Sequence, residues 1–70
     1  MKNIDISFIT INYNSSKYTI ELINSIIEQT KDLLYEIIVV DNASIDDDLE
    51  KLKYFLKDKK DVRLIENRIN

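Results

Sequence analysis

The stretch EIIVVDNAS at residues 36–44 decides the fold, because it joins one strand to a cluster of polar side chains. An apolar, β-branched run begins at Tyr35 and is interrupted only by Glu36, as is typical of a parallel strand that is covered on both faces. The run ends abruptly at Asp41 and Asn42. Ligands of open α/β sheets bind in the crevice outside the carboxyl ends of the strands. The sequence therefore predicts a ligand site directly after the most buried strand of a sheet.

Strands and helices alternate on both sides of this segment. Alternating apolar residues over 4–11 predict a first strand, and apolar residues spaced three and four apart predict a helix over about residues 17–30. A second helix is expected from Asp46–Asp48 to about Lys57, because acids at its start and lysines at its end suit the helix dipole. A third short strand covers residues 62–66. Consecutive right-handed crossovers then give an α/β fold, a three-stranded parallel sheet in a β-α-β-α-β half-Rossmann arrangement with helices over its faces.

The composition of the 70-residue chain excludes several classes of protein. It contains no cysteine and no histidine, which excludes disulfides, thiolate metal sites and a histidine-based catalytic triad. The net charge of -3 has the wrong sign for a nucleic-acid binder, so no nucleic-acid partner is expected. Without glycine there is no glycine-rich phosphate loop of the dehydrogenase or NTPase kind. The polar start is neither a signal peptide nor a membrane span, so we expect one cytoplasmic domain over residues 1–70.

Asparagines are the expected turn residues, because the chain has neither glycine nor proline. Asparagine tolerates a left-handed backbone better than other non-glycine residues do. Asn14, Asn42 and Asn67 each follow an apolar run. We therefore predict that these three asparagines turn the chain.

Polar residues also follow the first predicted strand, at Asn12, Tyr13 and Asn14. The carboxyl ends of parallel strands meet at one edge, so these residues are expected to lie near Asp41 and Asn42. Together they offer an aromatic face for stacking, a carboxylate that accepts from a ring N–H, and amides that donate or accept. This combination is typical of nucleobase recognition.

Each of these residues also has a purely structural alternative. Tyr13 can pack over the end of a helix, and Asp41 can be a solvated turn residue or a cap for the second helix. Ser44 is expected to be a helix N-cap rather than a ligand contact. Consecutive carboxylates on a first helical turn splay apart, so Asp46–Asp48 are expected to face water and to bind no metal.

Three segments together resemble the start of the family 2 glycosyltransferases with the GT-A fold. They are TINYNS at 10–15, YEIIVVDNASID at 35–46 and VRLIEN at 62–67, with a helix ending in EQT at 28–30 between the first two. Each motif is weak alone, but their order and spacing are specific and cover almost the whole chain. The nearest members are the bacterial transferases that build cell-surface polysaccharides.

The resemblance implies a function for the polar edge. Asn12, Tyr13 and Asn14 would contact the base of a nucleotide-diphospho-sugar donor, and Asp41 with Asn42 would bind its uracil or other pyrimidine, which indicates a donor of the UDP type. The reaction would transfer a sugar to a saccharide or lipid-linked acceptor. The chain would then be the truncated nucleotide-sugar-binding half of a GT-A domain.

Two departures from the family bear on activity. Where the family has an Asn-x-Gly turn after the third strand, this chain has Asn67, Arg68 and Ile69. The family's Asp-x-Asp metal motif, acceptor half and catalytic base lie beyond that strand, so no catalytic or metal-binding residue is assigned. A divalent cation, Mg²⁺ or Mn²⁺, is implied for the full-length family alone. We therefore expect no turnover by these residues in isolation.

Self-association is a further expectation. In the family a fourth strand pairs beside the first, so without it the first strand is a long apolar edge that recruits other chains. This predicts a homo-oligomer joined through residues 4–11. Two other functions stay open beside the enzyme fragment, a non-catalytic nucleotide-binding or assembly module and the remnant of a disrupted gene.

Overall fold

A computed structural model describes residues 3–68, which form three strands and two helices in strict alternation. The elements are β1 (Ile6–Asn12), α1 (Ser16–Gln29), β2 (Tyr35–Asn42), α2 (Asp46–Leu56) and β3 (Val62–Asn67). Each predicted element is present, with bounds that differ by one or two residues from those expected.

The strands form one parallel sheet in the order β1-β2-β3, which confirms the predicted half-Rossmann arrangement. The central strand β2 is the most buried, because Ile37, Val39 and Asp41 have no exposed surface. Asn12 at the end of β1 lies opposite Asp41, and Asp41 lies opposite Glu66 of β3. The register therefore aligns the carboxyl ends of all three strands at one edge of the sheet.

Both helices lie on the same face of the sheet, so the expectation of helices over both faces is wrong. The core joins Ile23 of α1 and Leu52 of α2 to Ile37 and Val39, which share one face of β2. Two right-handed crossovers that add strands in the same direction place both helices on the same side. The opposite face stays open within residues 3–68, and the exposed apolar side chains on it are Ile9, Ile11 and Ile65.

The prediction of three asparagine turns is correct for Asn14 alone, whose φ is 50°. Asn42 and Asn67 are the last residues of β2 and β3, where they pair opposite each other in the ladder. The left-handed residue after β2 is Ala43, with φ of 57°. The ladder keeps Asn42 extended and moves the turn one residue further. Ile69, which stands where the family has the glycine of its Asn-x-Gly turn, lies outside the described residues.

Neither helix within residues 3–68 combines the length and the apolar character needed to cross a lipid bilayer.

Candidate functional site

The alternation of side chains along the strands decides which polar residues point into the molecule. Phe8 and Asn12 occupy alternate positions on one face of β1, as Val39 and Asp41 do on β2. This is the face that the helices cover, and Asn12 and Asp41 have no exposed surface there. The two strands thus bring Asn12 and Asp41 together at the predicted edge, beneath the helices.

The Asn12 side chain is the centre of a buried hydrogen-bond network. Its Nδ2 donates to Asp41 Oδ1 and to Asp48 Oδ2, both at 2.9 Å, and lies 3.2 Å from Ser44 Oγ. Its Oδ1 accepts from the Thr19 hydroxyl at 2.6 Å. Two carboxylates on the nitrogen side and a hydroxyl donor on the oxygen side fix the orientation of the amide. Every polar atom of this buried side chain is therefore satisfied.

Ser44 closes the turn after β2, and the expectation that it caps a helix is wrong. Its hydroxyl donates to Asp41 Oδ1 at 2.6 Å, and its backbone N–H donates to Asp41 Oδ2 at 3.1 Å. The N-cap position of α2 belongs to Ile45 instead. Asp41 is thus a turn residue, as one structural alternative had it, but it is buried rather than solvated, and its bonds to Ser44 hold the left-handed backbone of Ala43.

Asn14 joins the turn after β1 to the turn after β2. Its backbone N–H donates to Ser44 Oγ at 2.9 Å, and its Oδ1 accepts from the Ile45 N–H at 2.8 Å. Ile45 is the N-cap residue of α2, so the Asn14 side chain accepts a hydrogen bond from the backbone at the start of that helix. The two loops form one rigid unit.

Asp48 belongs to this network, although sequence reasoning placed it in water with Asp46 and Asp47. Its Oδ1 accepts from the backbone N–H of Ser16 at 2.9 Å, and its Oδ2 accepts from Asn12. Asp46 and Asp47 are exposed as expected. Asp48 is the third residue of α2, and helical side chains lean toward the N-terminus of their helix. That lean brings its carboxylate back to the edge of the sheet, where the packing of α2 against α1 places the Ser16 N–H within reach.

The network keeps both of its carboxylates ionised. Burial by itself raises the pKa of Asp41, but hydrogen bonds from Ser44 and Asn12 outweigh it and hold the pKa below the ordinary 3.8. Burial likewise raises the pKa of Asp48, while the Ser16 N–H and the Asn12 amide lower it below 3.8. Lowered pKa values make both groups weak bases.

We expect stability to fall in acid because of these two groups. Their pKa is lower in the folded state than in the unfolded one, so they stabilise the fold fully above the ordinary value of 3.8. This contribution disappears as the pH falls through that value toward the folded-state pKa. Melting temperatures measured from about pH 6 to about pH 3 should drop steeply. Asp48→Asn should weaken the dependence of melting temperature on pH, and substitution of the exposed Asp47 by asparagine should not. The same dependence in both variants would show that Asp48 does not contribute to the loss of stability in acid.

The accessible rim of the edge consists of Tyr13, Asn42 and Arg68. The Tyr13 side chain is 53% exposed. Asn42 is half-buried, and its Oδ1 accepts from Asn67 Nδ2 at 3.1 Å. The half-exposed Arg68 guanidinium lies 3.6 Å from Asp41 Oδ2 and so covers the outer side of that carboxylate.

The five predicted site residues therefore divide into two sets. Asn12 and Asp41 form the buried floor, and Asn14 locks the two turns together. Tyr13 and Asn42 present accessible groups at the same edge, and Asn42 points to the open face of the sheet, opposite to Asp41. The structure brings all five to one edge, but the division into buried and accessible residues was not part of the prediction.

The residues described here do not fit a divalent cation. Within residues 3–68, no group of three or more acidic, histidine or cysteine side chains is arranged to hold a metal ion. The inward oxygens of Asp41 and Asp48 face the N–H groups of Asn12, which are donors that a cation would not tolerate.

The fold and this edge define a Rossmann-like α/β unit with its polar site at the carboxyl ends of the strands. The profile of the family described as Glycosyl transferase family 2 matches residues 7–70. The chain belongs to the family 2 glycosyltransferases, which confirms the resemblance seen in its motifs. Comparison with curated proteins found no match to the chain.

Proposed function

We propose that this chain binds the nucleotide of a nucleotide-diphospho-sugar donor, of the UDP type, at the carboxyl edge of β1 and β2. The observation that carries the proposal is that the exposed Tyr13 and the Asp41–Asn42 turn lie at one edge of the sheet, where the Asn14 N–H joins the two turns through Ser44. An aromatic face and fixed carboxylate and amide groups suit a flat heterocycle with ring N–H and carbonyl groups. Membership of the family supports a nucleotide-sugar donor in general.

The five residues divide the work of recognition. Tyr13 stacks on the base, and Asn42 offers its amide to the polar edge of the base. Asp41 Oδ2 accepts from the ring N–H once the half-exposed Arg68 guanidinium swings aside. Asn12 and Asn14 act from beneath, because their hydrogen bonds hold the two turns in place.

Glycosyl transfer needs a base for the acceptor hydroxyl, and the carboxylates of the buried Asp41 and the partly buried Asp48 are unsuited to this role. Asp41 and Asp48 accept several hydrogen bonds each, and their pKa values lie below 3.8. A general base works best with a pKa near the operating pH. We therefore propose that these seventy residues bind the donor without transferring its sugar to a saccharide or lipid-linked acceptor. The same observation favours a second candidate, a non-catalytic nucleotide-binding module.

Titration calorimetry tests donor binding and an assay of sugar release tests turnover. UDP and UDP-sugars should bind and give measurable heat, and ADP should bind more weakly. No release or transfer of sugar above a no-protein control is expected in the presence of Mn²⁺. Absence of binding to every uridine nucleotide would refute the proposed function, and sugar release would refute the proposed inactivity.

We also propose that the chain forms a homo-oligomer through the edge of β1. Among residues 3–68 this strand has one neighbour, β2, so its other side presents unpaired backbone groups. Ile9 and Ile11 of the same strand are 69% and 65% exposed on the open face. Parallel sheets are normally covered on both faces, and this open face is not. A second copy that pairs at the edge of β1 would also contact the exposed isoleucines beside that edge.

Sedimentation velocity over a range of concentrations tests the oligomer. The wild-type chain should sediment as a dimer or larger species, and Ile9→Lys should shift it to monomer without loss of fold. Leu22→Lys is the matched control, because Leu22 is an exposed apolar residue of α1, away from the strand edge. A monomeric wild type at high concentration would refute the oligomer, and equal effects of the two lysines would refute the edge as its interface.

A further inference from the structure

We propose that Asp48 is the positioning residue that pre-organises the nucleotide edge, acting from α2 on the turn that carries Tyr13. This inference rests on the proposed function, and it assigns a role to a residue whose carboxylate was expected to face water. Asp48 does not contact the ligand itself. It acts through the two residues that its carboxylate holds.

The Asp48 carboxylate bridges two different elements. One oxygen accepts from Asn12 Nδ2, at the end of β1, and the other accepts from the Ser16 N–H, at the start of α1, each at 2.9 Å. Tyr13 and Asn14 lie between these two anchor residues in the chain. The turn is therefore clamped at both ends by one side chain.

The start of α1 depends on this clamp. Ser15 occupies the N-cap position of α1 but makes no side-chain capping hydrogen bond, and the first turn of α1 contains no acidic residue. An orphan N–H at a helix start needs an acceptor, and negative charge there is favoured by the helix dipole. Asp48 supplies both from a neighbouring helix, so it takes the place of a local cap.

Substitution by asparagine isolates this role. Asp48→Asn keeps the size of the side chain but only one acceptor, so its NH₂ group must face a donor, either the Asn12 NH₂ or the Ser16 N–H. Asn12 cannot rotate its amide to adapt, because it would then lose its bonds to Asp41 and Thr19. The clamp must therefore open at Asn12 or at Ser16.

Asp47→Asn is the matched control. Asp47 is the preceding residue on the same turn of α2, carries the same charge and is exposed. The two variants lose the same formal charge close to the same edge, so long-range electrostatic effects on a UDP diphosphate are similar for both. Only the Asp48 variant loses hydrogen bonds.

The experiment compares wild type, Asp48→Asn and Asp47→Asn by NMR and by UDP titration, at a temperature where circular dichroism shows each to be folded. We expect Asp48→Asn to bind UDP about tenfold more weakly, as the loss of one partly buried hydrogen bond to a charged group implies. Its Asn14 coupling constant should also lose the value that marks a φ of 50°. Asp47→Asn should match the wild type in both readouts.

The outcomes separate positioning from simple stabilisation. A lower melting temperature with unchanged UDP affinity and unchanged Asn14 coupling in the folded protein would overturn the proposal. If Asp48→Asn does not fold, Asp48→Glu takes its place, because glutamate keeps the charge and both acceptors. Asp48→Glu should fold and retain part of the UDP affinity. An Asp48→Glu variant that folds normally but binds no UDP would also overturn the proposal. If the wild type binds no UDP, the proposed function fails, and the Asn14 coupling alone still decides whether Asp48 sets the turn.

Discussion

Replacing Asn12 with alanine is expected to lower the free energy of unfolding by about 3 kcal/mol or more. The substitution removes the donor that satisfies Asp41 and Asp48, whose oxygens each lie 2.9 Å from the same nitrogen. Two partly buried carboxylates are then left close together without the group that separates them. Breaking a buried charged network by removing one partner is among the most costly single changes in a protein.

Urea denaturation followed by circular dichroism measures this effect. A small domain has little stability in reserve, so Asn12→Ala should be largely unfolded at about 25 °C. Asn24→Ala is the control, because Asn24 is exposed on α1, where alanine is the better helix former. An Asn12→Ala variant as stable as Asn24→Ala would contradict the network as described.

Replacing Tyr13 with alanine is expected to have the largest effect on ligand binding. Stacking of a base on an aromatic side chain contributes about 1–3 kcal/mol, which corresponds to a loss of roughly 5- to 150-fold in UDP affinity. The Tyr13 ring is exposed and the backbone turn is held by other residues, so stability should change little.

Calorimetric titration with UDP measures the loss, and two variants serve as controls. Tyr18→Ala removes a similarly exposed tyrosine from α1 and should leave UDP affinity unchanged. Tyr13→Phe keeps the ring and should retain most of the affinity. Equal affinity of Tyr13→Ala and wild type would show that the base does not stack on Tyr13.

The fold was predictable because the two periodicities of the chain agree with its topology. Alternating and continuous apolar runs gave the strands, and three- and four-residue spacings gave the helices. The position of both helices on one face also follows from right-handed crossovers between neighbouring strands, although the unbroken apolar run of β2 suggested two covered faces. Ile38 and Val40 are only partly buried, because no described element covers that face.

The site was predictable in its location and less so in its detail. Asn12 and Asp41 continue the inward alternation of Phe8 and Val39, so strand parity alone places them beneath the helices. The turn at Ala43 was not predictable from propensity, because alanine disfavours a left-handed backbone and accepts it here through the bonds between Asp41 and Ser44.

Asp48 shows why local rules were insufficient. An acidic residue on a first helical turn is usually explained by the dipole of its own helix. This one serves the start of the other helix, a contact that depends on how α1 and α2 pack together. Such a contact cannot be inferred before the topology is known.

Intermolecular nuclear Overhauser effects between UDP and the isotope-labelled chain show where the base binds. We expect contacts from the uracil ring protons to the Tyr13 ring, with amide shifts confined to residues 12–14 and 41–44. Contacts at the opposite ends of the strands, such as those near the start of β3, would contradict the proposed site, and so would a spectrum that saturating UDP leaves unchanged.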